Sequence, residues 1–373
     1  MNPLKRLHEF GQSVYLDEIS RQLIEGGTLD TLINRDGLHG VTSNPAIFEK
    51  AIAQSTDYDD LISQLAASGK GVEELYEALV VGDIQDAADM FRELYDSSGG
   101  EYGYVSLEVS PELALDTAAT IAEARRLWAA VERPNVFIKV PATVAGLPAI
   151  TQLIGEGINV NVTLLFSLSR YQAVAEAYLQ GLEARLDAGE RISGVTSVAS
   201  FFLSRIDTMI DPLLDEIAEG GGDKAGIARS LRGETAVASA KKAYQTYKEL
   251  FAAPRFEALR AEGAGPQKLL WASTSTKDPS YSDVKYVEPL IGPETINTMP
   301  RETMDAYRDH GRPEERLEEG ADQAAEVLDQ LGHVGIDLNE IAQRLEAEGV
   351  DKFVEPHRSL LKTLAETLEE MPA

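Results

Sequence analysis

The chain has 373 residues, 43% of them hydrophobic, which is enough for a sizeable core in one large or two ordinary domains. Lys and Arg number 34 against 62 Asp and Glu, a net charge of −28 that disfavours a nucleic-acid or anionic-membrane partner, so any anionic substrate must be captured locally. There is no cysteine, hence no disulfide framework or thiolate metal site; charges occupy the first ten residues and no uncharged stretch reaches the ~18 residues of a spanning helix, so the chain reads as soluble and cytoplasmic.

Short β-rich runs alternate with longer helical patterns. The first run, 13–17, ends on Asp17; the second, 39–42, leads into Thr42-Ser-Asn-Pro45; the third, 103–109, carries Glu108; and the fourth, 135–141, carries Lys139. The fifth, 158–164, holds Asn161 and Thr163, the sixth, 194–200, closes on Ser200, and the last two lie at 268–273 and 294–299. Stretches such as 114–132, 168–188 and 236–251 are rich in Ala, Leu and Glu at helical spacing. Strand and helix repeated about eight times within roughly 300 residues imply a parallel sheet, and favour a closed (β/α)8 TIM barrel over a doubly wound sheet. Gly220-Gly-Gly222 has neither a preceding strand nor the spacing of a dinucleotide fingerprint, and is expected to be a loop between helices.

Beyond Pro300 the pattern turns helical, with acidic segments at 312–331 and 338–348 and an amphipathic one at 350–368. No Pro- or Ser-rich linker separates them from what precedes. The expected organisation is a catalytic barrel over 1–310 and a helical extension over 311–373 packed on it, one domain overall.

Lys139 is the most informative residue. It interrupts Asn135-Val-Phe-Ile-Lys-Val-Pro141, otherwise a buried strand. A strand lysine commonly snorkels to water or pairs with a carboxylate. An ammonium is a poor nucleophile, but an apolar wall disfavours the charged form and frees the amine to attack a carbonyl. The polar residues at the other strand ends weigh toward the second reading, because barrels of this type draw catalytic groups from there. Asp17 and Ser200 could each cap a helix, and Asn44 before Pro45 could form a turn. Asn161 is harder to dismiss, since alternation along Asn159-Val-Asn-Val-Thr163 puts three polar side chains on one face.

These parts suit imine chemistry. Lys139 would attack a ketone, Glu108 would protonate the departing hydroxyl through water held by Thr163, and Asp17 would take the proton of the alcohol whose carbon–carbon bond breaks. Asn44 and Asn161 would orient hydroxyls. Ser200 and Arg205, at a strand end and about a turn into the next helix, suit a phosphate, as does Ala272-Ser-Thr-Ser-Thr-Lys277 after the seventh strand. His8, His39, His310, His333 and His357 show no ligand spacing, so no metal or other cofactor is expected.

Taken together, Gly40-Val-Thr-Ser-Asn-Pro45, Val105-Ser-Leu-Glu-Val109, Phe137-Ile-Lys-Val-Pro-Ala-Thr143 with Gly146, Gly157-Ile-Asn-Val-Asn-Val-Thr-Leu-Leu-Phe-Ser167, and Ser200 with Arg205 make the chain resemble the transaldolases of the pentose phosphate pathway. The terminal Gly349-Val-Asp-Lys-Phe353 is also similar. The resemblance implies that Lys139 forms the Schiff base, Asp17 is the base for cleavage and Glu108 the acid acting with Thr163. It further implies that Asn44 and Asn161 bind the dihydroxyacetone moiety, and Ser200 and Arg205 the phosphate. Many members place an arginine after the Ala-Ser pair that follows the seventh strand; here Lys277 is the candidate in its stead. Extra length between the second and third strands and after Pro300 resembles the larger bacterial type.

The expected activity is transfer of a dihydroxyacetone unit from a ketose phosphate (sedoheptulose 7-phosphate or fructose 6-phosphate) to an aldose phosphate (glyceraldehyde 3-phosphate or erythrose 4-phosphate). Two alternatives stand beside it: a fructose 6-phosphate aldolase-type lyase using the same lysine, and an inactive barrel that only binds. Lys139, Asp17 and Glu108 together argue against the last, since a scaffold needs no buried lysine with acid and base neighbours. The partners expected are small sugar phosphates, with the oligomeric state left open.

Overall fold

A computed structural model describes residues 2–370. Eight parallel strands close into a barrel in chain order: β1 Gln12–Leu16, β2 Gly40–Val41, β3 Tyr104–Glu108, β4 Val136–Pro141, β5 Val160–Leu165, β6 Ser197–Phe202, β7 Lys268–Ala272 and β8 Thr295–Met299. Closure runs from Gln12 opposite Thr295 to Leu16 opposite Met299. This is the (β/α)8 TIM barrel expected from the alternation. Buried Tyr15, Tyr104 and Phe137 lie on the same strand faces as Asp17, Glu108 and Lys139 and are among the large side chains that fill it, as the packed interior of such a barrel requires.

Every strand differs from its expected limits by one to three residues, and two of the departures bear on the site. β2 has only two residues, and Gly40 occupies a place where a Cβ would stand 2.5 Å from the Tyr104 carbonyl oxygen and 2.6 Å from the Tyr15 ring. Only glycine permits that approach. β6 runs two residues past Ser200, pairing Phe201 with Trp271 and Phe202 with Ala272; Ser200 is therefore inside the strand and does not close it. Gly221 and Gly222, at φ 72° and 79°, link helices Ser204–Gly220 and Asp223–Leu231, the loop that was expected.

The tail differs from its sequence pattern in two places. The helix expected from residue 312 begins only at Ala321, because the backbone N–H groups of Arg316 and Leu317 both donate to the Ile291 carbonyl at 3.0 Å and hold that stretch against the segment before β8. The segments expected at 338–348 and 350–368 are one helix, Leu338–Glu370, running through Gly349 and Pro356. No helix among the described residues is long and apolar enough to cross a membrane.

Below the barrel, His8, His39 and Tyr102 stack with ring centroids 3.8 and 3.9 Å apart. Burial, reinforced by His8 and Lys268, pushes His39 down from 6.5 to about 3. Because the folded value is the lower one, the stability it carries is fully present above pH 6.5 and is lost as pH falls toward 3, by up to roughly 5 kcal/mol. A His39→Phe variant should retain the stack and show a flatter loss of urea midpoint between pH 6.5 and 4; an unchanged acid limb would assign the loss to other groups.

Candidate active site

The parallel register lines up the site from the strands inward. Glu108 pairs with Lys139 across β3 and β4, Lys139 with Asn161 across β4 and β5, and Pro141 with Thr163. Asp17 follows β1 directly, its N–H bonded to the Met299 carbonyl at 2.8 Å. Asp17, Asn44, Lys139, Thr163, Ser200, Arg205 and Lys277 all line one cavity of about 240 Å³ at the C-terminal ends of the strands. Residues more than two hundred apart in sequence converge because every strand ends at this mouth.

Lys139 is 4% exposed, and its Nζ donates to Glu108 Oε2 at 3.1 Å and to the Ser43 carbonyl at 2.8 Å. Ser43 is itself anchored, its hydroxyl donating to the Ser106 carbonyl at 2.6 Å. Burial pushes the Glu108 carboxyl up; Lys139 opposes this and Asp17 adds to it. Asp17 is also raised by burial, against the hydrogen bond from Thr42 and the charges of Lys139 and Arg205, with Glu302 adding a further rise. Thr42 Oγ1 donates to Asp17 Oδ1 at 2.7 Å and lies 2.6 Å from Thr298 Oγ1.

Two expected site residues stand behind the cavity wall. Asn161 is fully buried, accepting from the Ser200 hydroxyl at 2.7 Å and donating to Ser106 Oγ at 3.1 Å. Glu108 turns its other side to a second cavity of about 270 Å³ that Tyr76 and His357 also line. Asn44 caps the helix Pro45–Ala53 with its side-chain oxygen, at 3.0 Å from the Ile47 nitrogen. That matches the local reading of the Asn-Pro pair while still placing the amide at the cavity.

Arg205 opens the helix Ser204–Gly220 beside the loop after β7. The Ser204 N–H donates to the Ser273 carbonyl at 3.0 Å and their hydroxyls lie 2.9 Å apart. Ser273 reaches this position in the left-handed region at φ 54°, a conformation of order 1–3 kcal/mol for a non-glycine residue. Lys277 donates to Ser275 Oγ at 2.6 Å on the same side. Burial lowers the Arg205 guanidinium, with Asp17 and Glu108 opposing. Glu108 Oε1, Thr163 Oγ1 and Arg205 Nη1 are buried without a protein hydrogen-bond partner.

Sequence reasoning passed over Thr298, Glu302, Phe202 and Phe353, all in the same wall. Thr298 had a signal, a hydroxyl next to the end of β8. Phe353 had none in spacing or composition, since its helix reaches the mouth from the far end of the chain; its one signal was the resemblance of the Gly349–Phe353 stretch, which assigned it no role.

The comparisons agree with this geometry. The family described as Transaldolase/Fructose-6-phosphate aldolase matches residues 14–364. A transaldolase of Trichodesmium erythraeum is 47% identical, spanning 99% of this chain and 98% of its own length. That of Saccharopolyspora erythraea is 48% identical over 98% of each, and that of Thiobacillus denitrificans 49% identical over 97% of this chain and 99% of its own. A barrel whose fourth strand buries a lysine against a carboxyl group, matched over nearly its whole length, belongs to the transaldolase/fructose-6-phosphate aldolase family.

Proposed function

We propose that the protein transfers a dihydroxyacetone unit from a ketose phosphate, sedoheptulose 7-phosphate or fructose 6-phosphate, to an aldose phosphate, glyceraldehyde 3-phosphate or erythrose 4-phosphate, through a Schiff base on Lys139. The observation that carries this is the buried Lys139–Glu108 contact of 3.1 Å inside the barrel mouth. Two opposite charges buried together are costly to keep. One proton passed from Nζ to the carboxylate turns them into a neutral amine and a neutral acid, the two species that the first step needs.

The amine attacks the ketone carbon, and the resulting carbinolamine loses its hydroxyl as water, protonated by Glu108 through a water held by Thr163. Asp17 then takes the proton from the hydroxyl on the carbon across the breaking bond. The bonding electrons flow into the iminium, an aldose phosphate departs, and an enamine remains on Lys139. An incoming aldehyde reverses these steps. Lysine supplies the electron sink, so the cycle calls for neither cofactor nor metal.

Asn44 would hold the three-carbon hydroxyls through its amide nitrogen; Asn161, engaged by Ser200 and Ser106, would join by exchanging one of those bonds. Arg205, with Ser200 and Lys277, would receive the phosphate, and the unpartnered Arg205 Nη1 supports this because a buried donor left unsatisfied costs about 1–3 kcal/mol. In this reading 1–310 is the catalytic barrel and 311–373 a helical extension packed on it, one domain overall, its last three residues lying outside those described; the enzyme works in the cytoplasm on small sugar phosphates.

The lyase alternative shares every step up to the enamine, and the family description names both activities. Incubation with fructose 6-phosphate and borohydride followed by peptide mass measurement tests the common core. A reduced three-carbon adduct on the peptide containing Lys139 is expected, and folded protein that yields none would overturn the Schiff-base reading.

A further inference from the structure

The Leu338–Glu370 helix brings one aromatic side chain to the reacting centre. Phe353, 3% exposed, forms part of the cavity wall, with its ring centroid 5.9 Å from Lys139 Nζ and 5.8 Å from Arg205 Cζ. The approach is built in. Gly349, about one turn earlier, stands where a Cβ would lie 2.9 Å from Leu164 Cδ2 and 3.6 Å from Arg205 Nη1. Leu164 is presented by an irregularity in β5, where the register shifts between Val162 and Leu165 and its own φ is 57°. Leu360 and Leu364, buried further along the helix, fix it in place. A helix serving only to cover the outside of the barrel needs none of these features.

We propose that Phe353 is a positioning residue that decides the fate of the bound three-carbon unit, shielding it from solvent until an aldehyde arrives. The inference rests on the Schiff-base reading above. After cleavage, the enamine carbon has two outcomes. It can attack the carbonyl carbon of an aldose phosphate, whose oxygen takes the proton held by Asp17; the new iminium then adds one water and releases a ketose phosphate and the free amine. Alternatively, the carbon takes a proton from solvent, Asp17 gives up its own proton to solvent, and the iminium adds one water and releases dihydroxyacetone and the free amine. Both routes consume water at the end, but only the second needs a solvent proton at carbon while the aldehyde site is still empty. An apolar ring against Lys139 restricts that access. It also provides a π-face to the iminium charge and to Arg205, which a smaller apolar group would not.

The test uses the full chain and its Phe353→Ala and Phe353→Leu variants, each given fructose 6-phosphate with erythrose 4-phosphate. Free dihydroxyacetone and sedoheptulose 7-phosphate are measured in the same sample, so the ratio of release to transfer does not depend on the folded fraction. Phe353→Ala is expected to raise that ratio about tenfold or more, and Phe353→Leu, which keeps much of the apolar bulk, about threefold. A ratio within about twofold of wild type in Phe353→Ala overturns the proposal; should that variant fail to fold, an unchanged ratio in Phe353→Leu does so. Borohydride adducts are measured alongside. An adduct on wild-type Lys139 with unchanged ratios removes the role of Phe353 alone, whereas no adduct on the wild type removes the Schiff-base reading and this inference together.

Discussion

Lys139→Ala is expected to lower the rate of transfer by roughly 10⁵-fold or more while the barrel stays folded, because no other group can take over as nucleophile. The two lysines and one arginine near the mouth do not compete on equal terms. Lys139 alone among Lys139, Lys277 and Arg205 contacts Glu108 directly, and Arg205 carries no nucleophilic amine. Removing Nζ leaves Glu108 buried with its opposing charge gone. Burial already raises that carboxyl, so protonation neutralises it and the fold is kept. Circular dichroism and the thermal midpoint separate lost chemistry from lost structure. A variant retaining more than about a hundredth of the native rate would sink the imine mechanism, and added small primary amines that restored turnover would support it.

The strand order and the identity of most cavity residues were legible because both obey local rules. Period-two alternation places side chains on one face of a strand, and parallel strands in a closed barrel end at a common mouth. Depth was not legible. Asn159, Asn161 and Thr163 share one face, as their spacing indicates, yet only Thr163 lines the cavity. Asn161 is bonded between Ser106 and Ser200, and Asn159 holds the lower barrel, accepting from the Thr196 nitrogen at 3.0 Å. The alternation fixes a direction and says nothing of height along the barrel axis.

Glycine misled for a related reason. The gap between the expected segments 338–348 and 350–368 falls on Gly349, whereas this residue sits inside a continuous helix and gives room to Leu164. Its cause is a contact with a residue 185 positions away (349 − 164), which no local pattern records. Gly221 and Gly222, whose positive φ angles serve only the local turn, were read correctly. The tail thus yields its helical content from sequence and withholds its contribution to the site, since Phe353 acquires meaning only where the helix crosses Lys139 and Arg205.

Asp17→Asn should separate cleavage from imine formation. The amide keeps an oxygen for the Thr42 hydroxyl, so the local geometry is preserved while the proposed base is removed. Turnover is expected to fall by about 10²–10⁴-fold, the usual contribution of a positioned general base. The more telling outcome is the identity of the trapped species. Wild-type protein reduced in the presence of fructose 6-phosphate should carry a three-carbon adduct on Lys139, because cleavage precedes capture. The Asn variant should carry the uncleaved six-carbon phosphate on the same residue, since Lys139, Glu108 and Thr163 are intact and the iminium still forms. Burial raises Asp17, so at lower pH a growing fraction of wild-type enzyme should also trap the six-carbon species, while the Asn variant shows no such trend. A three-carbon adduct forming on the Asn variant at the native rate would transfer the role of base to another group. Glu302, the other carboxylate in the cavity wall, would then be the first to test.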